Sequence, residues 1–87
     1  MSKIKLQQLL SQDLVLHRPV FRLEKIGAKL AGSIISDTFR GKSDRVRQKM
    51  IWDALDAELG PASVREVGTL LAYTPQEWNI DLPAKAG

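Results

Sequence analysis

The chain has 87 residues, 44% hydrophobic and 26% charged, which is the balance of one small folded domain and not of a disordered tail. With no cysteine and one histidine, no disulfide, thiolate nucleophile, self-contained zinc site or Ser-His-Asp triad is expected. The net charge of +3 is unevenly spread: residues 18–49 carry +6 and residues 50–87 carry −4, so an anionic partner is the function class to test against a merely solvated surface.

Leu6, Leu9, Leu10 and Leu14 recur at three- and four-residue spacings and predict a short helix over 3–14. No run reaches the roughly 20 apolar residues of a membrane span. Gln7, Gln8, Ser11 and Gln12 interrupt what would be the apolar part of a signal peptide, so the sequence reads as cytoplasmic. Pro19 ends the helix and is expected to hold Arg18 extended. Val20 to Ile26 alternates, with Phe21 and Leu23 on one side and Arg22 and Glu24 on the other, as a half-buried strand does. Gly27-Ala28 suits a type II′ turn into a second strand over 29–36, in which Gly32 marks a bulge or a close backbone approach.

A polar loop over 37–44 surrounds one core candidate, Phe39. Ser43 is placed as the N-cap of a helix over 44–59, with Val46, Met50, Ile51, Ala54, Leu55 and Leu59 along one face and Gly60-Pro61 as its stop. Val64 to Tyr73 predicts a third strand. Thr74-Pro75-Gln76-Glu77 has the form of a capping box opening a short last helix. Residues 1–80 read as a single domain and 81–87 as a flexible C-terminal tail.

The order is α-β-β-α-β-α, an α+β domain. Its hairpin and one right-handed crossover give a three-stranded mixed sheet with helices on one face. The helix stripe is expected to pack on the sheet through Phe21, Leu23, Ile35, Val67 and Leu71 or their register neighbours. The loop and helix start gather Arg40, Gly41, Lys42, Ser43, Arg45, Arg47 and Lys49, and N–H groups at a helix start beside cations suit phosphate. Four or five phosphate contacts would give weak, sequence-tolerant DNA or RNA binding with a log–log salt slope of roughly −4. Trp52 either covers a sheet edge or serves as an exposed aromatic for a partner. Asp53 and Asp56 read as a solvated face, and no nucleophile, base and oxyanion donor assemble, so no enzyme activity is expected.

The run from Ser33 to Leu59 resembles the central block of the BolA family. It contains the Phe39-Arg40-Gly41-Lys42-Ser43 loop, the arginine-rich helix start and Ile51-Trp52-Asp53-Ala54-Leu55-Asp56-Ala57-Glu58-Leu59. Tyr73-Thr74-Pro75-Gln76-Glu77-Trp78 is similar to the family's closing Thr-Pro-x-Glu-Trp. The resemblance implies a class II KH-like fold. It also implies two activities: binding of promoter DNA, or pairing with a monothiol glutaredoxin around a shared [2Fe-2S] cluster. In the second role the family supplies a histidine at the start of the third strand and a second ligand, His or Cys, from the loop between the first two strands. Here Arg65 or Glu66 stands at the first position, and Ile26-Gly27-Ala28-Lys29 offers no ligand at the second. His17 matches neither. An arginine guanidinium does not deprotonate to ligate iron, and a carboxylate is a hard donor for a cluster held by thiolates. No bound cofactor is therefore expected. DNA binding through the basic loop is the leading expectation, and an adaptor contact to glutaredoxin, with Trp52, Arg65 and Glu66 as partner-binding residues, is the alternative.

Overall fold

Four helices and three strands form along the chain in a computed structural model that describes residues 1–81. Helix α1 spans Lys3–Asp13, and its cap Ser2 accepts a hydrogen bond from the Lys5 N–H. Strands β1, Val20–Ile26, and β2, Lys29–Ile35, form a hairpin around Gly27, whose φ of +62° supplies the turn. A 3-10 turn over Asp37–Phe39 leads to helix α2, Asp44–Leu59, capped by Ser43 Oγ on the Val46 N–H and ended by Gly60. A second 3-10 turn, Gly60–Ala62, runs into the single-turn helix α3, Ser63–Glu66, then strand β3, Val67–Tyr73, and helix α4, Pro75–Asp81. The sheet order is β1-β2-β3, antiparallel then parallel, so the mixed α+β sheet read from the sequence is present. The helices are not all on one face, however: α4 lies toward the face opposite α1 and α2, beside Val20 and Ile35. Among the described residues no helix is long and apolar enough to cross a membrane. Of the tail expected over 81–87, Asp81 closes α4, and 82–87 lie outside the described residues.

Leu6, Leu9 and Leu10 of α1 and Ile51, Ala54 and Leu55 of α2 close over Leu30, Ile34, Val67, Leu70 and Ala72 of the sheet, with Phe39 fully buried beside them. Two of the expected sheet residues lie on the other face. Val20 pairs with Ile35 and Phe21 with Ile34, so Ile34 shares the core face of Phe21 and Ile35 does not. In β3 the pairing steps from Leu30–Val67 to Gly32–Leu70, one residue longer on β3. That bulge flips the phase, turning Leu70 and Ala72 inward and leaving Leu71 45% exposed. The face of α2 is also rotated from the expected one. Val46 is 43% exposed and Met50 and Leu59 only half-buried, while Arg47 is buried in the stripe.

Two local expectations fail for physical reasons. The first turn of the predicted third strand is helical instead. Ser63 Oγ donates to Asp56 and Glu66 holds the N-terminal ammonium at 2.8 Å, contacts across 7 and 65 residues that no local propensity contains. Arg18, expected extended, has φ +46°, the one non-glycine with positive φ among the described residues. The backbone of His17 is pinned on both sides: its N–H donates to Thr38 Oγ1 at 2.8 Å, and its carbonyl accepts from the buried Ser36 Oγ at 2.8 Å. The chain must then turn into β1 within two residues, and the surrounding bonds over-determine the strained conformation.

Candidate functional site

The seven residues predicted to meet phosphate lie together at the start of α2, but most are engaged within the protein. Gly41 takes φ +76° with open space around its Cα, and Ser43 is the helix cap. Arg40 pairs with Asp37 and also donates to Gln76 Oε1 at 2.8 Å, bridging the 3-10 turn to α4. Lys49 sits 2.8 Å from Asp53, one helical turn on, and that carboxylate raises its pKa. Each of these two reaches a phosphate only by leaving its own carboxylate. Lys42 and Arg45 have no ion pair among the described residues.

Arg47 is the clearest departure, with a side chain 7% exposed. Its Nε donates to the Lys42 carbonyl at 2.9 Å, and one terminal nitrogen donates to the Ala72 carbonyl at 3.0 Å. The two terminal nitrogens grip Glu77 at 2.6 and 3.0 Å, a bidentate pair. The guanidinium carbon lies 6.0 Å from the centre of the Phe39 ring. Glu77 also accepts from the Thr74 N–H at 2.8 Å while Thr74 Oγ1 accepts from the Glu77 N–H at 3.2 Å, the capping box legible in the sequence. Arg47 and then the Thr74 N–H lower the Glu77 pKa to about 2. Gln48 completes the arrangement by donating to the Leu70 carbonyl at 2.7 Å. Leu70 and Ala72 belong to β3, an edge strand, so α2 covers part of that edge with polar side chains.

The partner-binding candidates separate as well. Trp52 is half-buried against the core and covers apolar surface. Glu66 is tied to the N-terminus, whose charge lowers its pKa. Arg65 is exposed. Because Leu30 pairs with Val67, the β1–β2 turn and α3 end the sheet together. These are the two segments that the resemblance expects to carry cluster ligands, and they present Ile26, 59% exposed, and Val64, 60% exposed, beside Lys29 and Arg65. These residues do not fit a [2Fe-2S] cluster: two are aliphatic, two are cations, and Glu66 already binds an ammonium. No group of three His, Cys, Asp or Glu side chains among the described residues is placed to hold a metal ion. His17 precedes β1 at the opposite end of the sheet, about 20 Å away along a seven-residue strand. What the sequence did not reveal is the Arg47–Glu77 pair, whose partners stand 30 residues apart.

No protein-family model and no curated protein sequence matches this chain. Solved structures do. A bolA protein homologue from Coxiella burnetii superposes with a TM-score of 0.63 at 17% identity, covering 91% of this chain and 97% of that one. The BolA domain of SufE1 from Arabidopsis thaliana gives 0.64 at 23% identity, covering 88% and 98%. A bol-like protein from Babesia bovis gives 0.60 at 23% identity, covering 92% of each. The fold is therefore BolA-like over nearly its whole length.

Proposed function

We propose that this BolA-like chain is a non-catalytic adaptor that docks a partner protein through the sheet end where the β1–β2 turn meets α3, without contributing a cluster ligand. The observation that carries this reading is that this end of the sheet exposes two aliphatic side chains, Ile26 beside its cross-strand partner Lys29 and Val64 beside Arg65. Apolar contact rimmed by charge is the composition of a protein interface, and the cations favour an acidic partner surface. A monothiol glutaredoxin is the partner that the resemblance implies.

Mixing the protein anaerobically with a monothiol glutaredoxin, iron and sulfide tests this by size-exclusion chromatography, visible absorption and circular dichroism. A heterodimer should form with the spectrum of the glutaredoxin cluster unchanged, and Val64→Asp should weaken it by about tenfold or more. A cluster spectrum that changes on mixing and reverts with His17→Ala would overturn the ligand-free part. Absence of any complex would overturn the adaptor.

A second reading, binding of DNA or RNA, keeps support from Lys42 and Arg45 at the start of α2. Two unpaired cations instead of five shrink the expected salt slope to about −2. Fluorescence anisotropy with a labelled duplex and a labelled single strand across salt concentrations measures it. A slope near −4, reduced by about two on Arg40→Ala with Lys42→Ala, would put nucleic acid first.

A further inference from the structure

The open face of the sheet carries a cleft at the end opposite the β1–β2 turn. Cross-strand partners Val20 and Ile35 form its floor, Pro75 and Trp78 of α4 form a wall, and Arg18 and Arg22 project from the chain on either side of Val20. Its volume is about 360 Å³, within the range of small-molecule sites. The two ionisable groups that line it are both guanidinium ions, and neither has a carboxylate partner among residues 1–79. Trp78 is braced edge-on against Tyr73, with ring centres 5.3 Å apart and planes at 63°, so the wall is held in place. Arg18 is the residue kept at φ +46° by the bonds that Ser36 and Thr38 make to His17. Backbone strain held by these two hydrogen bonds, at a residue lining a cleft, is the kind of outlier that clusters at ligand sites.

We propose that this cleft binds a small phosphate monoester with a flat apolar body, such as an aryl or nucleoside monophosphate. One bidentate arginine already satisfies a carboxylate, whereas two guanidinium forks match the three free oxygens and the double charge of a phosphate monoester. Val20, Ile35, Pro75 and Trp78 give the apolar part an apolar surface and the ring a face to stack on. The site lies at the other end of the sheet from Ile26 and Val64, so it stands independently of the adaptor surface.

Titration calorimetry of the 87-residue protein at low salt, with phenyl phosphate, AMP, benzoate and inorganic phosphate, tests the assignment. Phenyl phosphate and AMP should bind at a single site with a Kd of about 1 mM or below. Benzoate and inorganic phosphate should each bind about tenfold more weakly. Arg22→Gln should cost about tenfold in affinity. Arg18→Gly should cost as much while leaving the melting temperature equal or higher, because glycine accepts the positive φ. Trp78→Leu should weaken AMP more than inorganic phosphate. No saturable binding of phenyl phosphate up to roughly 10 mM, or affinity unchanged in both arginine variants, overturns the site. Benzoate binding as tightly as phenyl phosphate overturns the phosphate, and inorganic phosphate binding as tightly overturns the apolar body.

Discussion

Gly32→Ala is expected to remove most of the native stability. Gly32 has φ +147°, a region that residues with a Cβ rarely adopt, and an ideal Cβ there would stand 2.0 Å from the Arg22 carbonyl oxygen. The Arg22 carbonyl carbon and Leu23 Cα would each be 2.9 Å away. All three atoms are backbone of β1, so no side chain can swing aside; the strand itself must move. Gly32 pairs with Leu23 on one side and adjoins the β3 bulge on the other, so displacing it disturbs both ladders. A loss of about 4 kcal/mol or more is expected, against the roughly 4–13 kcal/mol that a domain this size commands. Thermal unfolding followed by circular dichroism would show a midpoint lower by about 16 °C or more, or no cooperative transition. Gly41→Ala is the control: its φ is +76°, but nothing lies within 4 Å of the added Cβ, so only about 1 kcal/mol is at stake. Equal effects of the two substitutions would show that backbone approach at Gly32 does not limit stability.

The elements of the fold are legible in the sequence, whereas the faces they turn inward are not. Local chemistry announced the elements: Ser43 and Gly60-Pro61 bracket α2, Gly27 makes the hairpin, and Thr74 with Glu77 opens α4. Each of those signals lies within a few residues of what it specifies. The phase of β3 depends on an extra residue between Val67 and Leu70, which alternation counted from Val67 cannot see and which turns Leu71 outward. The helical turn at Ser63–Glu66 depends on Asp56 and the N-terminal ammonium, and the sequence alone offers β-branched Val64 and Val67, which favour a strand.

The engagement of the basic residues is hidden from the sequence for a similar reason. Counting charge along residues 18–49 treats every cation as available, yet a cation's availability is settled by distant carboxylates. Arg40 and Lys49 meet near neighbours at three and four residues, which the spacing does display. Arg47 meets a glutamate in another element and two backbone carbonyls, and it is buried beside the stripe while Val46, expected in the stripe, is exposed. The cleft beside Arg18 and Arg22 was invisible for a related reason: α4 folds back onto the open face of the sheet, and only the tertiary structure brings Trp78 over Ile35.

Arg47→Leu separates a structural cation from a phosphate-binding one. The substitution keeps apolar volume against Phe39 but leaves the carbonyls of Lys42 and Ala72 without their donor and removes the clamp between α2 and α4. A loss of about 2–4 kcal/mol is expected, measured by denaturant unfolding at neutral pH. The pH dependence should change with it. The Glu77 carboxyl is lowered in the folded protein from 4.5 to about 2. Its ionised form is therefore favoured by folding, and that contribution is fully present above pH 4.5 and fades as the pH falls toward about 2. Glu66, lowered by the N-terminal ammonium, acts in the same direction, while Glu58, raised by Asp13, works in the opposite one. Both persist in the variant, so subtracting its acid-unfolding curve from that of the unaltered protein isolates the Arg47–Glu77 pair. The difference should be largest above pH 4.5 and shrink in acid, without vanishing because the two carbonyls remain unpaired. Nucleic-acid affinity, measured where the variant is still folded, should stay within about twofold. A variant of unchanged stability that loses nucleic-acid binding would instead make Arg47 a phosphate ligand and return the basic loop to first place.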